Sequence, residues 1–126
     1  MVARSNQPAG SESIEEDFQG VGHLCREALI TLGQVVWDPD RHPILDGLQV
    51  SDTDAKRRLE AYIAVELASG ANELARKHAR ASLDLANGLQ HRRSARWREA
   101  CMCLEATASA VSLIAIVAGR RDPEVS

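Results

Sequence analysis

An all-α four-helix bundle is the fold class this sequence predicts, and three observations carry it. Nineteen of the 126 residues are Ala, the strongest helix former. Apolar residues recur at three- and four-residue steps in four segments, and no segment shows the period-two alternation of a strand. Pro and Gly fall mostly in the gaps between those segments. The length fits one domain. At 44% hydrophobic and 26% charged, the chain is not disordered as a whole.

The elements follow in order. Residues 1–12 are small, polar and unpatterned, and are expected as a disordered leader ahead of a helical domain over 13–121 and a tail over 122–126. Ser13 and Glu16 have the spacing of a capping box. Phe18, Val21, Cys25, Ala28, Leu32 and Val35 then give the first helix an apolar face, ended near Trp37 by Pro39. Residues 38–51 form a loop with an Asp46-Gly47 turn, which Ile44, Leu45, Leu48 and Val50 are expected to pin to the core. Ser51 is the expected N-cap of a second helix over about 52–69, which stops at Gly70. The third helix starts near Asn72. Its expected apolar stripe is Leu74, His78, Ala81, Leu85 and Leu89, opposite Lys77, Arg80, Asp84, Asn87 and His91. After a break at Gly88–Ser94, a fourth helix over about 94–118 carries two apolar faces. Trp97, Cys101, Leu104, Ala108, Val111 and Ala115 form one; Ala110, Ile114 and Val117 form the other. A helix apolar nearly all round has to be covered on most sides, by a central position or by a partner subunit. With short connections, neighbouring helices are expected to run antiparallel.

Composition narrows function by exclusion. The aromatics are only Phe18, Trp37, Tyr62 and Trp97, too few for a single-strand stacking platform. The longest uncharged stretch, Ala106–Gly119, is short for a bilayer span, so a buried helix and no membrane are expected. No secretory signal is visible. Cys25, Cys101 and Cys103 form no disulfide framework, which suits the cytoplasm. Neither a P-loop, a dinucleotide fingerprint, His-Glu-x-x-His, paired Cys-x-x-Cys nor Gly-x-Ser-x-Gly occurs, so no cofactor or metal is expected. Of the histidines, His42 is expected exposed in its Arg-His-Pro loop, and His78 as a core residue.

The net charge of −3 conceals a basic middle. Residues 1–54 carry −7, residues 55–98 carry +6 and residues 99–126 carry −2. Thirteen of the fifteen cations are Arg, suited to bidentate phosphate contact. Such a segment reads either as solvated faces pairing with the acidic first helix or as a polyanion-binding surface. Asn87 and His91 stand one helical turn apart. Arg92, Arg93, Arg96 and Arg98 follow, and their charge disfavours protonation of the imidazole. A neutral base beside guanidiniums is the recipe for metal-independent RNA cleavage. Equally, Asn87-Gly88 reads as a helix cap with an exposed Arg run after it.

The segment LANGLQH, residues 85–91, resembles the signature of the HEPN family (higher eukaryotes and prokaryotes nucleotide-binding). The run 79–119 also resembles uncharacterised bacterial proteins of the abortive-infection type, through QHRRSA and Glu105-Ala106-Thr107. The resemblance implies a small dimeric helical bundle of a defence or stress system that handles RNA. It makes Asn87 and His91 the candidate catalytic residues, with Arg80, Arg92, Arg93 and Arg96 as candidate nucleic-acid contacts. Ala86 stands where the family has its phosphate-binding Arg. Either Arg92 or Arg93 replaces it, or the chain is a non-catalytic relative. The expected partners are a second copy, RNA, and a protein encoded in the same operon. The alternative reading is a non-catalytic dimerisation or protein-interaction module.

Overall fold

A computed structural model describes residues 8–47, 49–90 and 96–119, with α1 side chains from Phe18 onward. It is a four-helix bundle: α1 (Pro8–Val36), α2 (Ala55–Glu66), α3 (Glu73–Gln90) and α4 (Trp97–Val117), with one 3₁₀ turn at Gly70–Asn72. No strand occurs among the described residues.

α1 begins at Pro8, inside the stretch expected as a leader. Proline suits a first helical turn, where its missing N–H has no partner to lose. The N-cap of α2 is Asp54, not Ser51: its carboxylate accepts from the Arg57 N–H at 3.2 Å. At the other end of α2, Arg76 reaches back from α3 to the Leu67 carbonyl at 2.6 Å.

The core is built on Leu59, Ile63, Leu83 and Ile114, all below 2% exposed. Between α3 and α4 it is small: Ala79 and Ala86 meet Ala106 and Ala110, which lets the two helices pack closely. α1 and α3 each touch all the other helices, whereas α2 and α4 flank them on opposite sides. The fourth helix is therefore not central.

Chain directions depart from the expected alternation. The α3–α4 pair is antiparallel, with His78 against Ser109 and Ala86 against Cys103. So is α2–α3, with Lys56 against Asp84 and Leu67 against Arg76. Gly22 faces Gln90, while Leu29 shares a groove with Leu83, so α1 also opposes α3. Hence α1, α2 and α4 run one way and α3 the other. Residues 37–54 are long enough to carry the chain back along α1 before α2 starts.

A buried polar clip fixes that return, and it corrects the expectation that His42 is exposed. His42 is 2% exposed. Its Nδ1 accepts from the Asp38 N–H at 3.0 Å, which leaves Nε2 to donate to Glu66 Oε2 at 2.8 Å. The imidazole is thus held as the Nε2–H tautomer. The Trp37 indole N–H donates to the His42 carbonyl at 2.9 Å, and the Arg58 guanidinium lies 4.7 Å from the Trp37 ring centroid. Arg41 adds an ion pair to Glu66 at 2.7 Å. Of the apolar residues expected to pin the loop, Leu45 is 90% exposed, Ile44 and Val50 are half-buried, and Leu48 lies outside the described residues.

The His42 hydrogen bond, aided by Arg41, holds the Glu66 carboxyl below its ordinary value. A lowered folded-state pKa stabilises the fold above the ordinary carboxylate range and stops doing so as pH falls through the lowered value. Glu66→Gln is expected to cost about 1.5–3 kcal/mol at neutral pH, the range for a hydrogen bond to a charged group. Urea denaturation should show that deficit narrowing toward acid pH. A deficit that does not change with pH would contradict the assignment.

Candidate interaction surface

Among the described residues, no hydrogen bond or ion pair joins Asn87, Arg80 and Arg96, three of those expected to handle RNA. Asn87 is half-buried and lines a polar groove with Arg26, Asp54, Lys56 and Gln90, between α1, α2 and α3. His91, Arg92 and Arg93 lie outside the described residues. Arg96 is the exposed N-cap residue of α4, followed by the exposed Arg98. Arg80 is exposed ten residues before the end of α3, roughly 15 Å from that end at the helical rise. Arg80, Arg96 and Arg98 form no ion pair with the described residues. Ala86, where the family signature has Arg, is fully buried in the core.

His78 is not the core residue expected. It is exposed, and its Nε2 meets Ser109 Oγ at 2.7 Å across the α3–α4 groove, with Ser82 Oγ 3.4 Å beyond. A His–Ser contact of this length suits nucleophilic catalysis. Here both residues sit in mid-helix, where the backbone N–H groups are used by the helix itself and offer nothing to an oxyanion. The bond acts as a strut between helices. No group of three or more His, Cys, Asp or Glu among the described residues is placed to hold a metal.

Two cysteines separate cleanly from the third. Cys25 and Cys103 are buried, and burial together with the neighbouring Cys25 thiol pushes Cys103 up to about 11. Cys101 is exposed.

What the fold does assemble is an apolar surface. The expected stripe of α3 is displaced: Ala79, Ser82, Leu83 and Ala86 face inward, while Leu74 and Leu85 are exposed. On α1, the inward residues are Cys25, Leu29 and Ile30, and Leu24 and Val35 are exposed at 68% and 56%. On α4, the inward face is Ala100, Cys103, Thr107, Ala110 and Ile114. Of the other face, Trp97, Cys101, Leu104 and Ala108 turn away from the core, whereas Val111 and Ala115 are half-buried and Val111 packs against the core. Trp97 is 69% exposed and Leu104 50%. Leu24, Ala28 and Val35 of α1 line a groove with Val111, so the exposed face of α4 continues onto α1.

Both faces of α4 step alternately by three and four residues, the spacing of a helix–helix seam. One seam is filled by α1 and α3. The other is exposed at Trp97, Cys101, Leu104 and Ala108 and meets α1 at Val111. At 21 residues α4 is also long and apolar enough, by composition alone, to cross a membrane, a test that core helices of globular proteins pass as well.

No family model, curated protein or solved structure matches this chain.

Proposed function

We propose that this chain is a non-catalytic interaction module, acting in the cytoplasm as part of a bacterial defence or stress system, and that it self-associates through the outer face of α4. The observation that carries this reading is the second seam. α4 is apolar on two faces, lies at the flank of the bundle, and leaves the second face exposed over Trp97, Cys101, Leu104 and Ala108. Contiguous apolar patches of this kind mark protein interaction sites. Three free cysteines suit the compartment. The core position of Ala86 supports the non-catalytic side of the HEPN resemblance, because an Arg in that slot would be a buried charge.

Sedimentation at tens of micromolar, of order 10⁻⁵ M, reaches typical micromolar dimers. The wild-type chain is expected to sediment as a dimer there. Leu104→Glu should give a monomer with unchanged helical circular dichroism, because Leu104 is half exposed in the single chain. A wild-type monomer would overturn the reading. So would a Leu104→Glu dimer, and a monomer that floats with phospholipid vesicles would assign the face to lipid.

RNA binding is the second reading. Arg96 and Arg98, exposed and without ion pairs among the described residues, favour it. If they contact phosphates, Arg96→Ala with Arg98→Ala should lower the salt slope of single-stranded RNA binding by about 0.7 per lost contact. An unchanged slope would remove these two residues from any RNA surface.

A further inference from the structure

We infer that the partner on α4 is a second copy of this chain packed antiparallel, so that large side chains of one outer seam lie over small ones of the other. This rests on the interaction-module reading and specifies its geometry.

The argument is one of volume. Along the outer seam, Trp97, Leu104 and Val111 are large and recur every seven residues. Cys101, Ala108 and Ala115 are small and recur every seven residues between them. A parallel, in-register copy would stack like on like. Its Trp, Leu and Val layers would hold the helices apart, and its Cys and Ala layers would be left underfilled. Reversing the copy puts one large and one small side chain into every layer.

One antiparallel register uses all six positions, with the exposed Trp97 and Cys101 of one copy reaching the half-buried Ala115 and Val111 of the other, at the groove with α1. It sets Trp97 against Ala115 of the second copy, Cys101 against Val111, and Leu104 against Ala108. The two-fold axis then crosses α4 midway between Leu104 and Ala108. Shifting by one heptad strands either Trp97 or the Val111–Ala115 end. α1 adds Leu24 and Val35 along the same face. Trp97, Leu104, Leu24 and Val35, each at least half exposed, supply most of the apolar surface toward the ~800 Å² per partner that a standard interface buries. On α4 the charge nearest the axis is Glu105, which is exposed beside the seam, so the repulsion between its two copies falls as salt is raised.

The native Cys101 makes the geometry testable in the full-length chain. In this register the two Cys101 residues lie ten positions apart along α4, roughly 15 Å, too far for a disulfide. Cys101 and position 111 of the second copy lie opposite. Oxidation by air with copper–phenanthroline should therefore leave wild type uncrosslinked. It should convert Val111→Cys to a covalent dimer and leave the double variant Cys101→Ala, Val111→Cys uncrosslinked. Crosslinking of the wild type or of the double variant would show a parallel pair or a shifted antiparallel one, and either overturns the proposal. A sedimenting dimer that crosslinks in none of the three chains would overturn the register. A monomer in sedimentation would remove the interaction-module reading itself, so the two failures are distinguishable. Circular dichroism of each variant checks that the bundle is intact.

Discussion

Everything distinctive about this bundle depends on one constraint: α4 has too much apolar surface for the place it occupies. Among its 21 residues only Arg98, Glu99 and Glu105 are charged. A helix of that composition is stable in water when covered on most sides. Yet α1 and α3 each pack against every other helix, whereas α4 lies at the flank and packs on α1 and α3. The bundle fills the inner seam with an Ala-rich, closely packed contact and leaves Trp97, Cys101, Leu104 and Ala108 of the outer one exposed. A second copy is the simplest cover, because the seam matches itself in volume when reversed.

The position of α4 follows from an event earlier in the chain. α1 and α2 run parallel because residues 37–54 return along α1, and the His42–Glu66 clip holds that return in place. Every donor and acceptor of the buried imidazole is satisfied, by the Asp38 N–H on one side and the Glu66 carboxylate on the other. The Arg58–Trp37 stack closes the cluster. With α2 placed on that side of the α1–α3 pair, the remaining face of the pair is the one that receives α4.

The helices themselves were legible in the sequence, since Ala content, apolar spacing and Pro or Gly breaks act locally. The breaks at Pro39 and Gly70 match connections, whereas α3 runs through Gly88 to Gln90 and the rest of the expected Gly88–Ser94 break, before Ser94, lies outside the described residues. The two faces of α4 were also readable. Which face turned inward was not, because periodicity gives a helix its stripes without saying what packs on them. The same limit displaced the stripe of α3, where small Ala79 and Ala86 lie inward in place of Leu74 and Leu85. The direction of α2 and the burial of His42 were missed together. Both arise from contacts between residues some two dozen positions apart, and an Arg-His-Pro loop carries no local sign of them. Of the candidate RNA residues, Asn87 went to a polar groove, while Arg80 and Arg96 remained exposed and apart.

The exposed part of the outer seam faces solvent in the single chain and is covered in the proposed dimer. Cys101 reports on this directly, since it lies in the seam while Cys25 and Cys103 are buried in the core. The decisive measurement is the alkylation rate of Cys101 in short iodoacetamide pulses, read by mass spectrometry across protein concentration. The rate should be high at nanomolar protein and fall as the chain dimerises, with Cys25 and Cys103 slow throughout. A Cys101 rate independent of concentration up to tens of micromolar, of order 10⁻⁵ M, would contradict the account.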